Sequence, residues 1–239
     1  FGRIATQNAK NVILQKIREE ERKVLYDQYY GMEKEVVTGI VQRVMGKNVS
    51  INLGKADAIL AENEQVRGEE FHPTEHIKVY ILEVKDTPKG PRIQVSRTHP
   101  GLVKRLFESE VAEVRDGTVE IKSIAREAGS RTKIAVWSND PDVDPVGACV
   151  GMNGARVNSI VEELRGEKID IINWDENPAI LIENALSPAI VIAVMADPDE
   201  KTALVVVPDY QLSLAIGKEG QNARLAARLT GFKIDIKSE

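Results

Sequence analysis

The feature that most constrains this chain is an internal repeat around two GxxG tetrapeptides, residues 151–154 and 217–220, which start 66 positions apart. In each copy, apolar residues lie five, two and one positions before the first glycine. This i, i+3, i+4 spacing predicts one apolar helix face. A second helical stripe follows each loop, and both copies end in the alternating pattern Lys-Ile-Asp-Ile. The chain therefore contains two copies of a helix, GxxG turn, helix and strand.

The chemistry of a GxxG turn favours contact with phosphate. Glycine tolerates unusual backbone angles and the close approach of another backbone. The turn also lies at a helix N-terminus, where free N–H groups attract anions. Such a layout is typical of the KH module, which clamps about four nucleotides of single-stranded RNA. One GxxG is a weak signal, but two framed copies predict two RNA-binding modules; the alternative is that both shapes serve packing alone.

The second copy carries more basic chemistry than the first. The sequence predicts phosphate contacts from Lys218 in the loop and from Arg224 and Arg228, which lie one turn apart on the next helix. Gln221 and Asn222 are predicted to contact base edges or sugars. The full set of candidate RNA-binding residues in this copy is Gly217, Lys218, Glu219, Gly220, Gln221, Asn222, Arg224 and Arg228.

The first copy is nearly uncharged at its loop. Arg156 is the one nearby cation, so this copy is expected to use backbone N–H groups and to bind RNA less tightly. Glu219 of the second copy opposes phosphate and is expected to point to solvent. The candidate residues of the first copy are Gly151, Met152, Asn153, Gly154 and Arg156.

The segments before the repeat predict a helix and a small barrel. Residues 4–30 have few helix breakers and predict a long helix that Gly31 stops. Five short alternating runs follow between residues 35 and 97, and they predict a five-stranded barrel of the OB type. The runs are VVTGIVQRV, NVSINL, ADAILA, IKVYILEV and RIQVS. Helical spacing returns after Gly101, before two strands, VEIKSIA and TKIAVWS.

Composition limits the class of protein. The 239 residues, 42% of them hydrophobic, suit two or three folded modules. One cysteine, Cys149, excludes an internal disulfide framework and agrees with a reducing compartment, and no apolar run is long enough to span a bilayer. We expect a cytoplasmic protein and a monomer. Since the chain starts at Phe1 and soon becomes helical, we interpret it as a fragment.

The net charge of −5 means that any nucleic acid must be bound by local basic patches. One basic stretch is either such a patch or a solvated linker face: Lys85, Lys89, Arg92, Arg97, His99, Lys104 and Arg105. The barrel strands carry few aromatic residues for base stacking, Tyr80 being the exception, with Phe71 and His72 in a loop. We interpret these aromatic residues as filling the barrel.

The order of a long helix, a barrel and two GxxG modules resembles the bacterial NusA family of transcription termination and antitermination factors. Segments that resemble sequences of this family cover nearly the whole chain. The runs are FGRIATQNAKNVILQKIREEER at the start, SRTHPGLVKRLFESEVAEVRDGTVEIKSIAREAGSRTKIAV (96–136), DPVGACVGMNGARV (144–157), GEKIDIINW (166–174) and LAIGKEGQNARLAARLTG (214–231).

This resemblance implies a multidomain α+β protein. Its parts are the end of a polymerase-binding N-terminal domain (1–33), an S1 domain (34–99) and two type II KH domains (100–174 and 175–239). It further implies partners, namely single-stranded RNA, RNA polymerase and other transcription factors, and a role in pausing, termination and antitermination. Family members often have a basic residue where this chain has Asn153, so a strong phosphate contact there is not expected.

Two other classes of function are weighed against RNA binding. An enzyme is disfavoured, since GxxxxGK[ST], GxGxxG and GxSxG are all absent. His72 and His76 are poorly arranged for a metal, and Cys149 lies on an apolar helix face. Polynucleotide phosphorylase also has KH and S1 modules, but in the opposite order. We therefore expect no catalytic residues, cofactor or metal. The second class, a protein-interaction scaffold, is favoured by the acidic charge and stays open.

Overall fold

A computed structural model describes residues 2–239 of the chain. The chain divides into two compact units, the first ending at Leu102 and the second beginning at Val103. No helix in the described residues is both long enough and apolar enough to cross a membrane.

The first unit contains the long helix and five strands that the sequence predicts. Helix α1 runs from Gly2 to Tyr30 and ends at Gly31, so the predicted helix and its stop are confirmed. The strands are β1 (Val36–Met45), β2 (Asn48–Asn52), β3 (Asp57–Leu60), β4 (His76–Thr87) and β5 (Gly90–Ser96). They close into a barrel in the order β1-β2-β3-β5-β4. All neighbours are antiparallel except β3 and β5.

Alternating side chains fill this barrel, as the period of two requires. Val49 and Ile51 of β2 and Val79 and Ile81 of β4 are all buried in one core. Tyr29, near the end of α1, joins the same core, and its hydroxyl donates to the Leu53 carbonyl at 3.2 Å. The last turns of α1 are thereby anchored to the barrel.

The second unit is built from seven helices and six strands. Helix α2 runs from Pro100 to Glu110, so the boundary between the units in sequence falls within its first turn. The following helices and strands are α3 (Ala112–Arg115), β6 (Val119–Glu127), β7 (Arg131–Ser138), α4 (Pro145–Val150), α5 (Ala155–Glu163), β8 (Lys168–Asn173), α6 (Pro178–Ala185), β9 (Ala193–Asp197), β10 (Thr202–Val207), α7 (Leu212–Ile216), α8 (Gln221–Thr230) and β11 (Lys233–Ser238). We call residues 103–174 the first GxxG module and residues 175–239 the second GxxG module.

Each GxxG module has a three-stranded sheet whose last two strands in sequence are parallel. The orders are β6-β7-β8 and β11-β10-β9, with β7 parallel to β8 and β10 parallel to β11. Parallel neighbours need a crossover connection. The helix pair that contains GxxG supplies it in both modules, α4–α5 in the first and α7–α8 in the second. The internal repeat is confirmed at the level of topology.

The two copies differ at the start of the first helix of each pair and after the end of the second helix. Asp144 precedes α4, but its side chain forms no capping bond, and α7 begins only at Leu212, after a 3₁₀ turn. The sequence repeat predicts that the second helix absorbs the one-residue difference in length between the copies, and this is wrong, because the extra residue of the first copy lies in the link to the next strand. In the structure α8 is one residue longer than α5, and the link to the next strand is four residues after α5 and two after α8.

One hydrophobic core spans both GxxG modules. Ala135 of β7 and Ile172 of β8 belong to the same buried cluster as Ile182, Leu225 and Val205 of the second module. Ser123 Oγ of β6 also donates to the Leu229 carbonyl of α8 at 2.7 Å. The two modules are therefore packed as one body.

Candidate nucleic-acid interface

The two GxxG loops have the same backbone conformation. Their corresponding residues match in φ to within about one degree: Gly151 and Gly217 (78° and 78°), Asn153 and Glu219 (55° and 56°), and Gly154 and Gly220 (76° and 77°). All six residues therefore lie in the positive-φ region that favours glycine. Such agreement between dissimilar tetrapeptides indicates one loop design used twice.

The first glycine of each loop permits a close backbone approach. A Cβ on Gly217 would lie 2.7 Å from the Asn222 nitrogen and 2.8 Å from the Asn222 Cβ. A Cβ on Gly151 would lie 2.7 Å from Cγ and 2.9 Å from the nitrogen of Arg156. Only glycine fits at either position without displacing the start of the next helix.

The middle residues of both loops face solvent. Met152 is 85% exposed, and Asn153, Lys218 and Glu219 are also exposed. The expectation that Glu219 points to solvent is confirmed. A glutamate held at φ 56° costs about 1 kcal/mol or more, whereas asparagine tolerates this region more readily. The second loop thus combines a strained backbone with an exposed lysine, which is typical of a functional turn.

Arg156 of the first module is engaged within its own module. Its Nη1 donates to Glu113 Oε2 at 2.8 Å and to the Ala148 carbonyl of α4 at 2.7 Å. Arg156 therefore ties α4 to the start of α5. An RNA phosphate would have to share this guanidinium with Glu113.

Asn222 has a structural role, and its side chain is not on the exposed surface where the sequence predicts an RNA contact. It is 4% exposed, and its Nδ2 donates to the carbonyls of Leu186 and Ala215, both at 3.0 Å. These bonds join the start of α8 to the ends of α6 and α7. The sequence pattern could not separate this asparagine from Gln221, because helical position alone does not show which side chain the core covers.

Gln221, Arg224 and Arg228 lie along one side of α8, as the sequence predicts, but they face the first module. Gln221 Nε2 donates to Ser130 Oγ at 2.7 Å. Arg224 forms two bonds with Glu127, from Nε at 2.9 Å and from Nη2 at 2.8 Å. The pKa of Glu127 lies below its usual value, mainly because Arg224 donates hydrogen bonds to the carboxylate. The positive charges of Arg224 and Arg228 lower this pKa further. Sequence analysis missed Glu127, because nothing in its local pattern marks a contact 97 residues away.

Two cavities occur in the GxxG modules, and only the second of them has residues of a GxxG loop in its lining. One of about 410 Å³ adjoins the first module and includes the apolar residues Val146, Ile171, Ile172 and Ile190 in its lining. The other, of about 360 Å³, adjoins the second loop at Gly217 and Lys218 and is lined on its far side by Arg131 and Lys168. The basic cavity next to the second GxxG loop suits phosphate.

A buried ionic cluster fixes the modules to each other. Lys133, fully buried on β7, donates to Asp170 Oδ2 at 2.9 Å and to the Ser187 carbonyl of the second module at 2.7 Å. Arg131 makes a two-bond contact with the same Asp170. Burial alone would raise the pKa of Asp170, but the bonds from Arg131 and the charge of Lys133 outweigh it and hold that pKa below its usual value.

This cluster predicts a specific acid sensitivity. Because the folded-state pKa of Asp170 is depressed, its stabilising effect is complete above the unfolded pKa, about 4, and is lost as pH falls through the folded value. Thermal unfolding measured from pH 6 to pH 3 should show a smaller acid loss of stability for Asp170→Asn than for the parent chain. Parallel pH curves for the two proteins would contradict this assignment.

The first unit has fewer exposed candidate RNA-binding side chains than its sequence suggests. Arg97, counted in the basic stretch, is 1% exposed, and its Nε donates to Glu69 Oε2 at 2.8 Å. Its place in a surface patch or a solvated linker is therefore wrong. Tyr80 is buried, but it stacks on His99 with ring centroids 4.5 Å apart and is not part of the barrel core that Val79 and Ile81 enter, so its predicted filling role is wrong. No group of three or more side chains able to hold a metal occurs among residues 2–239.

Three family models match parts of this chain. The NusA N-terminal domain matches residues 1–23, the NusA-like first KH domain matches residues 97–174, and the NusA-like second KH domain matches residues 178–239. The two KH matches cover the two modules whose loops are described above.

Curated relatives match the chain along its full length. Transcription termination/antitermination protein NusA of Bacillus subtilis is 60% identical over 239 residues, and that of Halalkalibacterium halodurans is 58% identical over 239 residues. The protein of the same name from Mycobacterium tuberculosis is 47% identical over 248 residues. All three alignments include the whole of this chain, which spans 64%, 63% and 72% of the respective relatives.

Proposed function

The chain belongs to the NusA family of transcription termination/antitermination proteins, and on this premise we propose that its two KH domains bind single-stranded RNA. The observation that carries the proposal is the matched pair of GxxG loops. Each has its first glycine pressed against the next helix and its middle residues exposed, so the loop backbone and the helix N-terminus are open to a phosphate.

The second KH domain is proposed to bind more strongly than the first. Lys218 adds an exposed positive charge to its loop, whereas Met152 and Asn153 add none. In the first domain, Arg156 already bonds Glu113 and a backbone carbonyl. Backbone N–H groups are therefore the main phosphate ligands there.

The domain limits and the wider role are proposals that rest on family membership. We assign residues 1–33 to the end of the polymerase-binding domain, 34–99 to an S1 domain, and 100–174 and 175–239 to KH domains. The order of two helices, two strands, two helices and one strand in 100–174 supports the type II form, in which a helical segment precedes the two strands. The longer relatives carry the name of termination and antitermination proteins, and we propose that this chain acts likewise on RNA polymerase, as a cytoplasmic monomer without catalysis.

Salt dependence of RNA binding tests the function directly. Each phosphate that the protein neutralises contributes about −0.7 to the slope of log affinity against log salt for single strands. Two GxxG loops that bind one phosphate each therefore predict a slope of about −1.4 or steeper. Fluorescence anisotropy with short unstructured RNAs at several salt concentrations measures it.

The same titration separates RNA binding from a scaffold role. A protein that uses its KH shapes only to dock other proteins would bind no RNA at any salt concentration. A duplex RNA of equal length serves as the control, because KH grooves accept unpaired bases. Equal affinity for duplex and single strand would contradict the proposed use of the loops.

A further inference from the structure

The face of α8 that follows the second GxxG loop already holds an anion from within the protein. Glu127, the last residue of β6, receives two hydrogen bonds from Arg224. Gln221 Nε2 lies 3.4 Å from Glu127 Oε1, and Arg228 Nη1 lies 4.0 Å from Glu127 Oε2. One carboxylate therefore faces three successive positions along the helix that were predicted to face RNA.

The geometry of this contact is the one that arginine also uses for phosphate. Two guanidinium N–H groups point at the two oxygens of Glu127, at 2.8 and 2.9 Å, and phosphate oxygens accept the same fork. The side chains of Arg224 and Arg228 remain 41% and 55% exposed. An RNA phosphate can therefore approach these arginines, but it meets a carboxylate already bound to them.

Resting on the proposed RNA binding by the second KH domain, we propose that Glu127 of the first KH domain is an internal competitor that sets the RNA affinity of the α8 face. In the absence of RNA, Glu127 occupies Arg224 and orients it toward β6. Phosphate binding at this face requires Arg224 to leave Glu127. Lys218 lies outside this competition, since no contact of Glu127 with it is observed in the described residues. The loop backbone is linked to the competition, because Arg224 Nη1 also donates to the Glu219 carbonyl at 3.0 Å.

Neutralising the competitor should tighten RNA binding. Glu127→Gln keeps the shape of the side chain and removes its charge, so Arg224 and Arg228 become available to phosphate. We expect about two- to fivefold tighter binding of a short single-stranded RNA, the range of a partly exposed ion pair. The salt slope should also steepen by about 0.7 for each arginine released, which a loss of mere structural support would not produce.

Glu120→Gln is the matched control for the change in net charge. Glu120 lies on the same strand, but its carboxylate contacts Lys122 and Asn139 of the first domain. This variant should leave affinity and salt slope near those of the parent protein. Glu127→Asp retains the charge with a shorter reach and should give an intermediate affinity.

The results distinguish this inference from the proposed function. If Gly220→Asp weakens RNA binding while Glu127→Gln binds no more tightly than Glu120→Gln, the competitor role is wrong and the KH assignment stands. If the parent protein binds no RNA, both are overturned. Thermal unfolding of each variant shows whether it is folded, and a folded Glu127→Gln with weaker binding also overturns the competitor role.

Discussion

Replacing Gly220 with aspartate is expected to weaken single-stranded RNA binding by a factor between about five and several hundred. A Cβ at this position meets only Arg224 Nη1, at 3.8 Å, so the side chain fits. Its carboxylate would stand where a phosphate approaches the start of α8. Like charges about 4 Å apart repel by about 1 kcal/mol in water and about 4 kcal/mol near a protein surface, which sets the range. Anisotropy titrations at fixed salt measure the change.

Gly220→Asn is the matched control for this prediction. Asparagine has nearly the same size as aspartate and the same tolerance of φ 77°, but it carries no charge. It should retain most of the RNA affinity, and equal losses in both variants would show that shape rather than charge was disturbed. Gly217 is the poorer site for this test, because any Cβ there collides with the backbone of Asn222.

The equivalent change in the first domain should have a smaller effect. Gly154→Asp also introduces a carboxylate at a loop end, but no lysine stands in that loop and Arg156 is already engaged. A Cβ on Gly154 would approach Asn158 Nδ2 to 3.0 Å, which a flexible side chain can accommodate. A loss as large as that of Gly220→Asp would contradict the assignment of the second loop as the stronger site.

Glu167→Gln is expected to destabilise the second unit by about 3–5 kcal/mol. Glu167 is fully buried and accepts bonds from Arg126, from Thr132 Oγ1 at 2.7 Å and from the Gly129 nitrogen at 2.7 Å. Arg126 is only 1% exposed, so the variant would leave a buried positive charge that Glu167 no longer neutralises. For a unit of this size the melting temperature should fall by roughly ten degrees, as measured by calorimetry.

Glu162→Gln controls for the loss of one negative charge from the same region. Glu162 lies on α5 and is exposed, so its replacement should change the melting temperature by only about one or two degrees. If Glu167→Gln has the same melting temperature as Glu162→Gln, the buried network around Glu167 contributes little to stability. The ionic cluster of Asp170 with Lys133 and Arg131 would then be the main polar contribution to the stability of this unit.

Local patterns predicted the parts of the fold whose causes are local. The helix that ends at Gly31, the five strands and the two GxxG repeats all follow from periodicity and from glycine positions. The partner of a side chain depends instead on segments far apart in sequence. For that reason Arg97 was placed on a surface and Asn222 in the RNA site, although both are buried. Arg224 was assigned correctly to its helix face, but its contact with Glu127 could not be inferred.

The continuous core of the two KH domains has a consequence for the length of RNA that the protein prefers. Since the loops cannot separate without unfolding that core, their spacing is constant. An oligonucleotide that just reaches both loops gains the second contact with little further loss of protein entropy. Affinity should therefore rise sharply at one threshold length, whereas domains on a flexible tether would give a gradual increase.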